Sequence, residues 1–345
     1  MEFGIYSFVD HTPDPITGEM ISAELRHSNL LEEAEMAEEA GLDVFAIGEH
    51  HRPDFIASAP AVILAAIAAR TRKIRLSSAV TVLSSEDPVR VYQQYATLDL
   101  LSGGRAEIMA GRGSFTESFP LFGYDLSLYN ELFSEKLKML LEIRKGELLT
   151  WKGKHTQTVE GRAVHPRSIQ DPLPVWIAVG GTPESVARAA TLGLPMTLAI
   201  IGGEPARFKP FTDLYRQMWQ QGGHGMDKFQ LGIGSHGFIA DTFEEAAELI
   251  YPRYVMMMGR LGRERGWGPI GRPQFEHEIS PDGAMLLGDP DTVIKKILRE
   301  HELFGFTRFS LQFSVGSVPH EKMLRCIELY GKVVAPAVRK AIGVK

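Results

Sequence analysis

Val175-Trp176-Ile177-Ala178-Val179-Gly180-Gly181-Thr182-Pro183-Glu184-Ser185 is the stretch on which the fold turns. Five apolar residues, weighted toward β-branched and aromatic types, spell a strand buried on both faces. Two glycines then let the backbone turn sharply and come close to a ligand. Thr182 takes a helix-cap position, with Pro183 at the first helical residue and Glu184 behind it. Ala187, Ala190 and Leu194 give that helix a packing face. A strand that runs through glycines into a capped helix leaves unpaired N–H groups aimed at one point, which suits a phosphate. An ordinary strand-to-helix turn can look the same, so the rest of the chain has to decide.

The alternation continues in both directions. Strand patterns cover residues 3–8, 44–47, 74–83, 106–110, 196–201, 231–240 and 308–314, in addition to the quoted run. Helical patterns follow them over 22–41, 60–70, 88–101, 131–146, 205–221, from 243 onward, and 319–334. Eight strands, each followed by a helix, predict an α/β chain folded as a (β/α)8 TIM barrel with insertions. An open doubly wound sheet would ordinarily carry a Gly-rich phosphate loop after its first strand, and none follows Phe8. No internal repeat or linker divides the 345 residues, so one domain over 1–345 is expected. Residues 111–130 and 151–174 exceed a minimal connection. Residues 256–287, rich in Gly, Arg and Pro, read as a long loop at the barrel's mouth and a candidate mobile lid.

Composition narrows the function. Lys and Arg number 37 against 43 Asp and Glu, a net charge of −6, so there is no basic surplus for nucleic acid or an anionic membrane. A single cysteine, Cys326, cannot form an internal disulfide, which fits a reducing compartment. No basic-then-apolar leader begins the chain, and no apolar run nears the roughly 20 residues that span a bilayer. A cytoplasmic location is expected.

In a barrel the chemistry gathers where strands end. The second strand ends in Gly48-Glu49-His50-His51-Arg52, the third in Ser84-Ser85-Glu86-Asp87 and the fourth in Gly111-Arg112-Gly113. The sixth ends in Gly202-Gly203, and the seventh near His236-Gly237. The guanidinium of Arg112, flanked by glycines, can grip a phosphate bidentately across the mouth from Thr182 and Ser185. The Glu49-His50-His51 cluster admits either a metal site or a histidine acting as hydrogen-bond donor or general base. Adjacent histidines on an extended backbone point to opposite sides, so a shared ion is disfavoured and no metal is expected. A phosphate-binding barrel without a dinucleotide fingerprint points to a mononucleotide such as FMN.

With these residues in place, the chain resembles the bacterial luciferase-like family of flavin-dependent monooxygenases over nearly its full length. The resemblance is carried by Gly41-Leu42-Asp43 leading to Gly48-Glu49-His50-His51, and by Ala79-Val80 through Asp87-Pro88-Val89-Arg90. It continues through Leu98 to Arg105, Gly111-Arg112-Gly113, Gly180 to Ser185, Gly193-Leu194-Pro195-Met196 and Leu287-Gly288-Asp289-Pro290. The resemblance implies a luciferase-like (β/α)8 barrel binding reduced FMN, with the phosphate held by Arg112, Gly180, Gly181, Thr182 and Ser185. Ala79-Val80 matches a non-prolyl cis peptide under the isoalloxazine ring. His50 matches a histidine near the reactive face, with Glu49 and His51 orienting it or the substrate. Reduced flavin and dioxygen would then form a flavin hydroperoxide that inserts one oxygen atom into a small organic substrate.

The resemblance also implies partners and alternatives. No nicotinamide site is visible, so a separate NAD(P)H flavin reductase would supply the reduced flavin. The helices at 60–70 and 88–101 match those packed between subunits, which implies a homodimer. Gly111 stands where luciferase proper has a reactive cysteine, so light emission is not implied. A deazaflavin-dependent hydride transfer on the same fold is the alternative reading, and a metal-dependent barrel hydrolase the third. Phe115, Phe119, Phe122, Trp267 and Phe275 either line an apolar pocket or pack the loops.

Overall fold

Successive side chains on a strand face opposite ways, so a strand buried on both faces needs helices on one side and a shared interior on the other. In the computed structural model, which describes residues 1–266, 268 and 270–343, eight parallel strands close on themselves in that manner. They are β1 (Glu2–Ser7), β2 (Val44–Ile47), β3 (Arg75–Ser78) and β4 (Ala106–Gly111), then β5 (Val175–Val179), β6 (Met196–Ile200), β7 (Leu231–Ile239) and β8 (Arg308–Gln312). Each pairs in parallel with the next, and β8 returns to β1 through Phe3 opposite Phe309. The eight-stranded barrel expected from the sequence is the one observed.

The helices that follow the strands are α1 (Ala23–Glu39), α2 (Pro60–Arg70), α3 (Pro88–Ser102), α4 (Tyr129–Lys145), α5 (Pro183–Thr191), α6 (Lys209–Gln221) and α7 (Phe243–Arg265). Local chemistry starts several of them. Asp87 caps α3 by accepting from the amides of Val89 and Arg90, and Thr242 caps α7 by accepting from Glu245 N. Cys326 is buried and its sulfur accepts from Ile239 N at 3.1 Å. Among the described residues, no helix is long and apolar enough to cross a membrane.

Two expectations need correction. Residues 74–83 are not one strand: β3 stops at Ser78, the Ala79–Val80 peptide bond is cis, and Thr81–Val82 pairs separately with the end of β4. Among the described residues, 256–287 do not form one long loop. α7 runs on to Arg265, α8 spans Arg272–Ile279, and Leu286–Gly288 adds a strand beside β7. Tyr254 and Met257, three residues apart, bury one face of α7 and hold it helical through a glycine-rich end, while Phe275 and Ile279 do the same for α8. The excursion at 151–174 likewise contains structure, because Leu148–Trp151 and Val159–Ala163 form an antiparallel hairpin.

The two ends of the barrel differ. At the bottom, Arg308 bonds Glu107 and, at 2.7 Å, Glu2, with its guanidinium 4.0 Å from the Trp176 ring, so the floor is closed. Toward the top, the inward residues Tyr6, Phe8, Ala178, Ala199, His236 and Ser310 keep partial exposure while their strand neighbours are mostly buried. They outline an open well at the carboxyl ends of the strands.

Candidate active site

Glycine and cis geometry shape one wall of the well. A Cβ added at Gly111 would lie 2.6 Å from the Val80 side chain, so the turn at Ala79–Val80 leaves no room there for a cysteine or any other side chain. Glu49, at the end of β2, braces this wall. Its amide donates to Val80 O at 3.0 Å, and one carboxylate oxygen accepts from Val82 N at 2.8 Å. The other carboxylate oxygen is 2.9 Å from His51 Nε2, a bond that raises the His51 pKa.

His50 faces the other way. Its ring packs 4.2 Å from the Phe8 centroid, 4.7 Å from Phe55 and 5.1 Å from Phe115. Burial, with smaller contributions from His51 and Arg52, pulls its pKa down to about 3, so the imidazole is neutral. The sequence reading has Glu49 and His51 orienting either His50 or the substrate. The structure instead joins Glu49 to His51 and to the Val80–Val82 segment, and leaves His50 to the phenylalanines. Phe8 is aimed into the well from a tight bend, since buried Val9 has φ 55, a conformation that β-branched residues rarely adopt.

The candidate anion site is assembled from two strand ends. Arg112, just past β4, donates to Asn130 Oδ1 at 2.7 Å and approaches Thr182 Oγ1 at 3.4 Å. Thr182 stands at the N-cap of α5, but its hydroxyl makes no capping bond and donates to Ser185 Oγ at 2.8 Å instead. Gly181, with φ 99, makes the turn that presents these groups. Arg188, one turn further along α5, is a residue the sequence reading overlooks. Its Nη1 is enclosed without a hydrogen-bond partner, and both burial and the charge of Arg112 lower its pKa. Arg188, in the last turn of α5, thus lies within range of the Arg112 charge.

A cover lies across the His50 side of the well. Arg52 bonds Glu117 at 2.6 Å and grips Glu264, near the end of α7, through two nitrogens at 2.6 and 2.9 Å. Asp54 bonds Arg260 from the same helix. Phe115 has the guanidinium groups of Arg52 and Arg265 at 4.7 and 5.4 Å from its ring. Of the other loop aromatics, Phe122 packs on His51, whereas Phe119 is buried near Tyr129 and Phe275 near Tyr251 and Tyr254. Trp267 lies outside the described residues. Lys136, also overlooked, donates to Ser84 O at 2.8 Å beneath Tyr124, and burial lowers its pKa to about 8.

Comparison with known proteins agrees with this geometry. The profile of luciferase-like monooxygenases matches residues 1–307. The N-acetyl-S-alkylcysteine monooxygenase of Bacillus subtilis (strain 168) is 32% identical over 240 residues, 68% of each chain. The FMN-bound oxygenating constituent of 3,6-diketocamphane monooxygenase from Pseudomonas putida superposes with a TM-score of 0.75 at 20% identity, over 98% of each chain. The coenzyme F420-dependent tetrahydromethanopterin reductase of Methanopyrus kandleri superposes with a TM-score of 0.74 at 19% identity, over 98% of this chain and 99% of that one. At such identities the structural likenesses speak for the fold.

Proposed function

This chain belongs to the luciferase-like monooxygenase family, and on that premise we propose that it binds reduced FMN and uses dioxygen to oxygenate a small organic substrate. The observation that carries the reading is that Arg112, which reaches Thr182 at the start of α5, has a second guanidinium within range of its charge, that of Arg188 from the last turn of the same helix, with Nη1 enclosed and unpartnered. Two cations brought together without a carboxylate bonded to either call for a dianion, and a flavin phosphate supplies it. Thr182 and Ser185 would add hydroxyls, and the turn through Gly180 and Gly181 would let the phosphate approach the backbone. Ala79 and Val80, on the neighbouring strand end beside Gly111, would support the ring.

Reduced FMN, when bound, would supply the electrons that activate dioxygen. The chain's own part is to orient, to exclude water and to place one proton. Phe8, Phe55 and Phe115 keep the surroundings of His50 dry, and the neutral imidazole has a ring nitrogen with which to hold or exchange a proton there. Glu49 and His51 act through the wall they brace.

The test is an anaerobic titration with reduced FMN against reduced deazaflavin, with Arg112→Ala alongside. Losing charge-assisted hydrogen bonds of about 1.5–3 kcal/mol should weaken FMN roughly 10- to 100-fold. Tighter binding of the deazaflavin would transfer the site to the hydride-transfer alternative. Equal FMN affinity in wild type and variant would remove Arg112 from it.

We also propose a homodimer fed by a separate NAD(P)H flavin reductase. Val62 on α2 and Leu100 and Leu101 on α3 are 69%, 48% and 64% exposed, an apolar surface on the two helices expected between subunits. Light scattering at micromolar concentration should read twice the 38.3 kDa chain mass, and the purified chain with FMN should not consume NADH or NADPH quickly. A monomeric mass, or rapid nicotinamide oxidation, would refute the respective half.

A further inference from the structure

Across the well from the anion site lies a polar edge built by β7, β8 and β1. His236 and Gln312 stand opposite each other in register. Gln312 Nε2 donates to Ser314 O at 2.9 Å, which fixes its amide and leaves Oε1 as a free acceptor. His236 Nδ1 and Gln312 Oε1 are both enclosed and neither meets a partner in hydrogen-bonding geometry. Gln312 nevertheless raises the basicity of the ring, as an acceptor beside an N–H does, although burial dominates and takes the imidazole down to about 4. Two enclosed lone pairs turned on each other would repel, so the proton belongs on Nδ1 and the lone pair on Nε2. Since Nδ1 is enclosed while the residue keeps partial exposure, the open edge of the ring is the one that carries Nε2.

Tyr6 completes the edge. Its ring lies over Gly234, the inward residue below His236, and its hydroxyl is 3.4 Å from Ser235 O, long for an O–H···O bond. Burial keeps the phenol protonated, so it remains a donor. The edge leads to His50 through Phe8, whose ring is 5.8 Å from Tyr6 and 4.2 Å from His50. Arg308, lower on the inner wall, is already bonded to Glu107 and Glu2.

Resting on the flavin site proposed above, we infer that Tyr6 and His236, positioned by Gln312, form a substrate subsite for an uncharged polar group that both donates and accepts hydrogen bonds, a hydroxyl or a carboxamide. The Tyr6 hydroxyl donates to the ligand oxygen, and His236 Nε2 accepts from the ligand O–H or N–H. A carboxylate has no proton for Nε2 and meets no cation on this edge, so two sets of lone pairs would face each other. A site built for a hydrogen bond rejects an analogue that cannot make it.

Benzamide and benzoate, nearly isosteric, test this by ligand-observed NMR on the FMN-loaded protein and on the protein alone. Benzamide should bind at least about tenfold tighter than benzoate, and Tyr6→Phe and His236→Leu should each loosen benzamide about tenfold, the effect of one hydrogen bond. Nitrogen-15 shifts of labelled histidine should show His236 protonated on Nδ1, with the tautomers mixed in Gln312→Leu. Benzoate binding as tightly as benzamide, no benzamide binding, or unchanged benzamide affinity in both variants would overturn the subsite. So would a loss of FMN affinity in those variants, which would give these groups to the flavin ring. If the wild type takes no FMN but the benzamide pattern holds on the protein alone, the flavin reading falls and the subsite stands.

Discussion

Replacing His50 with alanine should leave FMN affinity unchanged and cut oxygenated product per flavin oxidised by about 100-fold or more, the usual contribution of a positioned proton-handling side chain. Hydrogen peroxide should account for the difference. The expectation follows from where the ring sits. Phe8, Phe55 and Phe115 surround it, and its ring contacts are with these and not with Arg112 or Thr182, so its removal spares the proposed phosphate grip. Its pKa of about 3 keeps it neutral, so coupling should show no inflection attributable to His50 near pH 6.5.

The same depression has a sign for stability. Below about pH 6.5 the unfolded chain takes up a proton that the folded ring refuses, so stability falls as the pH drops and levels off only near the folded value of about 3. The melting temperature of the wild type should therefore decline through that window more steeply than that of His50→Ala. Equal peroxide release by the two proteins, measured with any accepted substrate, would rule out the proton-handling role.

The second large effect lies at the closed end of the barrel. Arg308→Ala should destabilise the fold by about 3–5 kcal/mol, because it strands the carboxylate of Glu107 where water cannot reach it. The two side chains are 3% and 1% exposed, so solvent screening offers little relief. Arg75 Nε, 3.6 Å from Glu107 Oε2, softens the loss toward the lower figure. The guanidinium also leaves the face of Trp176, which adds to it. Arg308→Met combined with Glu107→Leu should recover most of the stability, since no charge is then left buried. Urea denaturation would decide: a double variant as unstable as the single one would mean that packing, not charge, governs the site.

The barrel was legible because its strands are buried outside and in, and buried strands announce themselves by short apolar runs bounded by glycine. The meeting of Arg112 with Thr182 and Ser185 was legible too, because strand ends of a closed barrel must converge. Arg188 escaped because a cation inside an amphipathic helix looks like a solvated one until its neighbours are known. The second half of α7 escaped because Pro252, Gly259 and Gly262 argue against a helix, and only the burial of Tyr254 and Met257 outweighs them. The hairpin at 148–163 shows little alternation, because its second strand is mostly exposed. His50's partners came out differently for a related reason. Neighbours in sequence on an extended chain point apart, so its true companions, Phe8, Phe55 and Phe115, are distant in number.

In a ring of eight, the fourth and fifth members lie diametrically across from the eighth and first. The proposed dianion holders therefore occupy one pole of the rim and the proposed neutral hydrogen-bonding trio the other, with no shared residue. Such a division of labour lets one pole drift toward new compounds while its antipode stays constant, which is how a single scaffold can serve many chemistries without reinventing its means of holding the tool they share.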